Sequence, residues 1–287
     1  MNIVIGGTGQ VGQFVVKQLR DTHERFRVLA HNAASKEKLE SQGIATVVGD
    51  YTQPQQLGSL FVDVERVFLL TPSSPMQTYL EQIIIDSAKA AGVRYIVKIS
   101  VLAADRETAL PLLRWHAESE AYLKASGLQY TILRPNSMMQ NFARVDRATI
   151  VGQSAMYATA GESKISFINA SDVAEVAVKA LTTDQLIGNT YELTGAEALS
   201  YPEVAAKFTQ LLARPIQYVN LPDEAWRGAM LSAGVPDWYA DGLLGLYDFY
   251  RQGKGAVITD SITQLLGRQP TTLESYLQTN RAVFAHS

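Results

Sequence analysis

A short apolar run, Asn2-Ile3-Val4-Ile5, leads directly into Gly6-Gly7-Thr8-Gly9-Gln10-Val11-Gly12, and an amphipathic segment follows from about Val11 to Arg20. Strand, glycine turn and helix in immediate succession leave little freedom of fold. Glycines at these spacings let the backbone turn sharply, let amide N–H groups approach a pyrophosphate at the positive end of a helix, and let that helix pack closely on the strand. Either spacing, G-x-G-x-x-G from Gly7 or G-x-x-G-x-x-G from Gly6, is weak alone; its place between strand and helix makes it specific. The Lys-Ser/Thr pair of a P-loop is absent.

Short β-rich runs then alternate with longer amphipathic segments, the pattern of a parallel sheet covered by helices. Six strands are expected: Ile3–Gly6, Arg27–His31, Ala45–Gly49, Arg66–Thr71, Tyr95–Ser100 and Gln129–Arg134. Between them lie helices over Ser35–Gln42, after Pro54, and from Thr71-Pro72-Ser73-Ser74-Pro75 to a stop at Gly92. After Pro135 the pattern loosens, with a hairpin expected around Gly161-Glu162 and a helix over Ser171–Leu181 capped by Ser171 or Asp172. From about Tyr201 the chain reads as mostly helical. The fold class is therefore α/β, with 1–135 plus about 150–195 as a nucleotide-binding domain and 136–149 plus 196–287 as a substrate lobe.

Composition excludes several functions. Lys+Arg is 25 against Asp+Glu 28, without the basic excess that binding a phosphate backbone needs, so no nucleic-acid partner is expected. No apolar run approaches the ~18 residues of a membrane span, and the N-terminus lacks the basic and apolar regions of a secretory signal. Cys is 0, which removes disulfides, thiolate nucleophiles and cysteine metal sites and is compatible with a reducing cytoplasm. His23, His31, His116 and His286 are dispersed, so no metal site is expected.

The end of the second strand selects between dinucleotides. An Asp or Glu there would accept from the adenosine ribose and repel a 2′-phosphate. This chain has His31-Asn32, with Arg27 nearby and Lys36 and Lys38 opening the next helix, a neutral to positive corner that favours NADPH over NADH. A solvated helix face explains Lys38 equally well. Asp50, after the third strand, is placed to contact the adenine amino group.

Beyond the glycine turn, Gly49-Asp50, Phe68-Leu69-Leu70-Thr71-Pro72, Lys98-Ile99-Ser100, the run Ser126–Pro135, Gln140-Asn141-Phe142 and the run Phe167–Ala174 together resemble the NmrA-like group of atypical short-chain dehydrogenases/reductases. The pattern is most similar to bacterial NADPH quinone oxidoreductases and triphenylmethane-dye reductases. The resemblance implies a doubly wound parallel Rossmann sheet with a smaller, mostly helical C-terminal lobe, and an NADP(H) cofactor across the carboxyl ends of the strands. It implies contacts to that cofactor from Gly6, Thr8, Gly9, Gln10, Val11, Gly12, His31, Asn32, Lys36, Asp50, Thr71 and Pro72, with Asn136 and Ser137 near the nicotinamide.

Ordinary members of the wider superfamily use a Tyr with a Lys four residues later to protonate a carbonyl oxygen. At that place this chain carries His116-Ala117-Glu118-Ser119-Glu120. Tyr250 and Lys254 have the spacing but follow the wrong strand, and the match reads as chance. His116 is a candidate acid if Glu120, one helical turn on, holds it protonated; a packing histidine with Glu120 on a wet face is the competing reading. Ser100 either bonds the nicotinamide amide or merely ends its strand.

A quinone or cationic dye delocalises incoming electrons and needs no local acid, so loss of the Tyr/Lys pair leaves hydride transfer to a planar aromatic acceptor open. Met138, Met139, Asn141, Phe142, Trp226 and Trp238 are the expected walls of that acceptor site. The competing function is a non-catalytic NADP(H) redox sensor, and a weaker one is an isomerase or sugar-nucleotide enzyme. A homodimer is left open.

Overall fold

The computed structural model describes residues 1–105 and 107–285, leaving aside the side chains of 54–56; His286 lies outside the described residues. The first half alternates β1 (Asn2–Ile5), α1 (Gly12–Asp21), β2 (Phe26–Ala30), α2 (Ala33–Glu40), β3 (Thr46–Val48), α3 (Pro54–Leu60), β4 (Arg66–Leu69), α4 (Gln77–Ala90), β5 (Tyr95–Ile99), α5 (Pro111–Ala125) and β6 (Gln129–Pro135). There follow α6 (Arg147–Gln153), β7 (Ala155–Ala158), α7 (Ala170–Thr182), β8 (Thr190–Leu193), α8 (Tyr201–Leu212), β9 (Gln217–Asn220), α9 (Asp223–Ser232), α10 (Asp237–Arg251), α11 (Ser261–Leu266), α12 (Leu273–Thr279) and α13 (Arg281–Phe284).

The strands lie in the order β3-β2-β1-β4-β5-β6-β8, and those from β3 to β6 pair in parallel. The chain winds outward from β1 first one way and then the other, which makes this a doubly wound Rossmann sheet with its switch point between β1 and β4. All four residues of β1 and all five of β5 are buried, as strands covered on both faces require. On one face Ile3, Ile5, Val67, Leu69, Ile96 and Ile132 pack with Leu57 and Leu60 of α3, Ile84, Ile85 and Ala88 of α4, and Leu123 of α5. Each such side chain contributes roughly 1.5–3 kcal/mol by its burial, which fixes the register that the site depends on.

The chain divides into two units, 1–135 with 173–192 and 136–172 with 193–287. Residues 150–172 thus pack with the second unit, where the sequence reading places them in the nucleotide-binding domain. The cause is pairing: β7 runs parallel to β9, and Ile165 bridges Leu199. The same pairing replaces the expected hairpin, since Gly161 (φ +57) turns the chain without a strand partner directly following it. The cap of α7 also differs. Asn169 Oδ1 accepts from the Ser171 amide at 3.0 Å, while Asp172 is buried and accepts from Arg268 and from the amide and hydroxyl of Thr271. The short strand β8 was not expected; four residues between turns carry too little pattern.

Candidate functional site

In the first unit the glycine turn forms an open cradle. Gly6 has φ +83, and a Cβ there would lie 2.1 Å from the Leu70 carbonyl oxygen, so only glycine fits. At Gly12 a Cβ would fall 2.0 Å from the Gly6 oxygen, where α1 presses on the turn. Gly9 is different: its nearest contacts would be the Gly6 oxygen at 3.2 Å and Leu70 Cδ2 at 4.0 Å, which leaves space for a ligand. No side chain caps α1 and no acid stands in its first turn, so its dipole favours an anion there, while the amides of Gly9, Gln13 and Phe14 already donate to the carbonyls of Gly6, Gly9 and Val11. Thr8 is exposed and Gln10 half-buried beside this turn, whereas the Val11 side chain is buried and offers only backbone. These residues fit the pyrophosphate of a dinucleotide.

At the carboxyl end of β2, His31 is exposed and Asn32 caps α2, its Oδ1 accepting from the Ser35 amide at 2.8 Å. Lys36 pairs with Glu40 at 3.6 Å. Arg27 does not belong to this corner, contrary to expectation. It sits near the amino end of β2, and its guanidinium donates to the carbonyls of Leu60 (2.5 Å) and Val62 (2.7 Å). Asp50 Oδ1 accepts from the Thr52 hydroxyl (2.6 Å) and amide (2.8 Å), and these bonds hold its carboxyl below the usual range.

Beyond β4 the Thr71 hydroxyl donates to Glu81 at 2.7 Å, while Pro72 is exposed. Glu81 also accepts from Lys98 and Ser119, all three side chains being wholly buried. Desolvation pushes the Glu81 carboxyl up, but the Lys98 charge and the bonds from Lys98 and Ser119 outweigh it and hold it below the usual range. His116 of α5 lies near enough to this network to feel the Lys98 and Glu81 charges, and Gln77 Nε2 lies 3.0 Å from its Nδ1. Burial, and then the Lys98 charge, push His116 down to about 3, so the imidazole is neutral at neutral pH.

Glu120 does not hold His116 protonated, and it is not on a wet face. It is buried, accepting from the Ser100 hydroxyl at 2.5 Å and from Arg134 Nε and Nη2 at 2.8 and 2.6 Å. The bidentate Arg134 contact neutralises it. The Ser100 proton is thereby committed, leaving its oxygen as an acceptor.

In the second unit Asn136 serves as a latch rather than a free contact: Nδ2 donates to Ser166 Oγ (2.8 Å) and the Gly255 carbonyl (2.9 Å), and Oδ1 accepts from the Ser137 amide (2.8 Å). The Ser137 hydroxyl bonds Tyr250. Lys254 lies over the Phe249 ring, 5.7 Å from its centroid, and does not serve Tyr250. Met139 and Phe142 are core residues, 2% and 1% exposed, with Phe142 against Phe167 and Phe208. Met138 and Asn141 are half-buried. Trp226 packs edge-on to Tyr247, while Trp238 stands at the surface beside Tyr239. A cavity of about 690 Å³ opens in this unit between Pro202, Ala205, Ile216 and Tyr218, and none of the expected acceptor walls lines it.

The model of the NmrA-like family matches residues 2–277. The chain belongs to the NmrA-like family. Among the relatives of this NmrA-like protein, an NAD(P)H azoreductase of Xenophilus azovorans is 33% identical over 284 residues, covering 99% of each chain. Quinone oxidoreductase 2 of Escherichia coli (strain K12) is 31% identical over 283 residues, covering 95% of this chain and 96% of the other. The solved structure of the NADPH-dependent quinone oxidoreductase from Escherichia coli complexed with NADPH superposes with a TM-score of 0.87 at 29% identity, over 97% and 99% of the two chains. The Citrobacter triphenylmethane reductase complexed with NADP(H) shares the fold, with a TM-score of 0.85 at 23% identity over 97% and 99%.

The structure of this NmrA-like chain also brings together residues that the sequence reading missed. Gln77 meets His116, Glu81 takes Lys98 and Ser119 close by, and Tyr201, Tyr218, Tyr247 and Tyr250 cluster beside Trp226. The first group was legible: Gln77, Glu81, Ile84, Ile85 and Ala88 recur at helical spacing on the buried face of α4, and Lys98 interrupts an apolar strand.

Proposed function

We propose that the protein is an NADPH-dependent reductase that passes a hydride to a quinone, azo or similar conjugated aromatic acceptor. The observation that carries this reading is full-length likeness, above 30% identity, to an azoreductase and a quinone oxidoreductase in a chain whose glycine turn keeps an open approach at Gly9. In this reading Gly6, Thr8, Gly9, Gln10, Val11 and Gly12 hold the pyrophosphate, and Thr71 and Pro72 border the cofactor's middle. NADPH is preferred over NADH because His31 and Asn32 stand where an acid would repel the 2′-phosphate, with Lys36 adjacent. Bound NADPH supplies the hydride.

The neutral His116 and the committed Ser100 suit an acceptor that needs no strong acid beside its reacting atom. The test is NADPH oxidation, followed at its own absorbance, against a panel of quinones and azo dyes. Turnover with one of them supports the reading; tight NADPH binding with no turnover overturns it in favour of a redox sensor.

A further inference from the structure

Two strands of the first unit end side by side where the winding reverses. Ile5 of β1 pairs with Leu69 of β4, and the Leu70 amide donates to the Ile5 carbonyl at 3.3 Å. Gly6 on one strand and Leu70-Thr71 on the other therefore face each other at the switch point, where a doubly wound sheet takes its ligand. The fit is close. A Cβ on Gly6 would meet the Leu70 carbonyl oxygen, and one on Gly9 would lie 4.0 Å from Leu70 Cδ2. Whatever sets Leu70 and Thr71 in place thus sets one wall of the phosphate approach.

Thr71 is held from the interior. It is 4% exposed, and its hydroxyl donates to Glu81 Oε1 at 2.7 Å. The other carboxylate oxygen, Oε2, takes Lys98 and Ser119. Two donors on one oxygen fix the carboxylate and leave the second oxygen aimed at Thr71. Glu81, Lys98 and Ser119 are wholly buried and stand on α4, β5 and α5, so one hydroxyl is tied to three packed elements. Beyond it the chain is exposed at Pro72, Ser73, Pro75 and Met76, until Gln77 re-enters the interior. The Glu81 bond therefore marks where the rigid wall ends and the exposed segment begins.

Stability alone does not account for this arrangement. A buried ion pair gives little net stabilisation over apolar side chains of similar volume. An apolar pair, however, cannot accept a hydrogen bond from Thr71, and a charged acceptor makes that bond roughly twice as strong as a neutral one.

We propose that Glu81 and Lys98 are positioning residues for the dinucleotide, holding Thr71, and through it Leu70, against the glycine turn before the cofactor arrives. This rests on the NADPH-binding half of the reductase reading. The pair touches no reacting atom; it acts by keeping the wall in its binding-competent place. A wall competent about a tenth of the time weakens apparent affinity about 10-fold.

The test is fluorescence titration with NADPH, together with melting curves and hydrogen–deuterium exchange over 69–76 in the cofactor-free protein. Thr71→Val and the double variant Lys98→Met/Glu81→Leu should each bind NADPH about 10-fold more weakly and exchange faster over 69–76. Thr71→Ser, which keeps the hydroxyl, should restore both. Leu57→Ala, which removes apolar packing from α3 and no polar partner, should melt lower than Thr71→Val yet bind NADPH as wild type does. If the double variant does not fold, Thr71→Val decides alone, since it removes one hydroxyl from a side chain of the same shape. Wild-type affinity in Thr71→Val, a loss without faster exchange, or an equal loss in Leu57→Ala overturns the proposal and leaves the reductase reading intact. A wild type that does not bind NADPH overturns the reductase reading, and this positioning with it.

Discussion

Lys98 of β5 and Glu81 of α4 meet as a fully buried ion pair, and the same carboxylate takes the hydroxyls of Thr71 and Ser119. Removing one member leaves the other charge buried without compensation, which costs about 3–5 kcal/mol. Glu81→Ala or Lys98→Met should each destabilise the protein by that amount in urea titrations, and the double variant Lys98→Met/Glu81→Leu by much less than the sum. Additive losses would show that the two groups do not act as a pair.

The two informative glycines should fail differently. Gly12→Ala places a methyl 2.0 Å from the Gly6 oxygen and should lower the melting temperature markedly. Gly9→Val should keep a near-native melt and lose NADPH affinity by about 100-fold or more, because its side chain enters the phosphate approach. Fluorescence titration with parallel melting curves separates the two. Wild-type affinity in folded Gly9→Val would remove the turn from the cofactor site.

Cofactor preference should track His31 and ignore Arg27. His31→Asp should shift the NADPH/NADH affinity ratio toward NADH by about 10-fold, roughly 1.4 kcal/mol. Arg27→Gln should leave that ratio unchanged and weaken the fold, because the carbonyls of Leu60 and Val62 lose their donor. Titrating both dinucleotides against both variants decides the assignment.

His116 should contribute stability that depends on pH and little to turnover. Its folded pKa, about 3, lies below the unfolded 6.5, so between those values the unfolded chain binds more protons. The contribution is therefore complete above about pH 6.5 and is lost as pH falls toward 3, a change on the order of 5 kcal/mol for one fully buried group. Urea midpoints should drop less between pH 7.5 and 4.5 in His116→Gln than in wild type. Quinone turnover should change by less than 10-fold, whereas a loss of 10²–10⁴ would make His116 a general acid.

The sheet was legible because its strands are apolar runs separated by glycine and proline punctuation, and the turn Gly6–Gly12 names its own chemistry. Side-chain direction was less so. Arg27 stands near the start of β2 and His31 just past its end, and four residues at about 3.3 Å each separate them, which a reading by proximity in sequence overlooks. His116 and Glu120 share a helix face by spacing, yet Arg134 and Ser100 from neighbouring strands claim the carboxylate. Met139 and Phe142 lie where a topological argument expects a ligand, and the competing demand of a second hydrophobic core took them instead.

The chain leaves the first unit at Pro135 and returns to it at Val173. On the ribosome, β6 is therefore synthesised well before β8 can cover it. Until then the nascent sheet carries an open edge, and the Thr131 hydroxyl waits for the Leu186 carbonyl 55 positions downstream. An uncovered edge strand is a template for pairing with another chain. The interleaving thus makes biogenesis, rather than the finished molecule, the stage at which this protein is most exposed to aggregation, and it prevents either unit from being inherited, swapped or expressed as one uninterrupted piece of sequence.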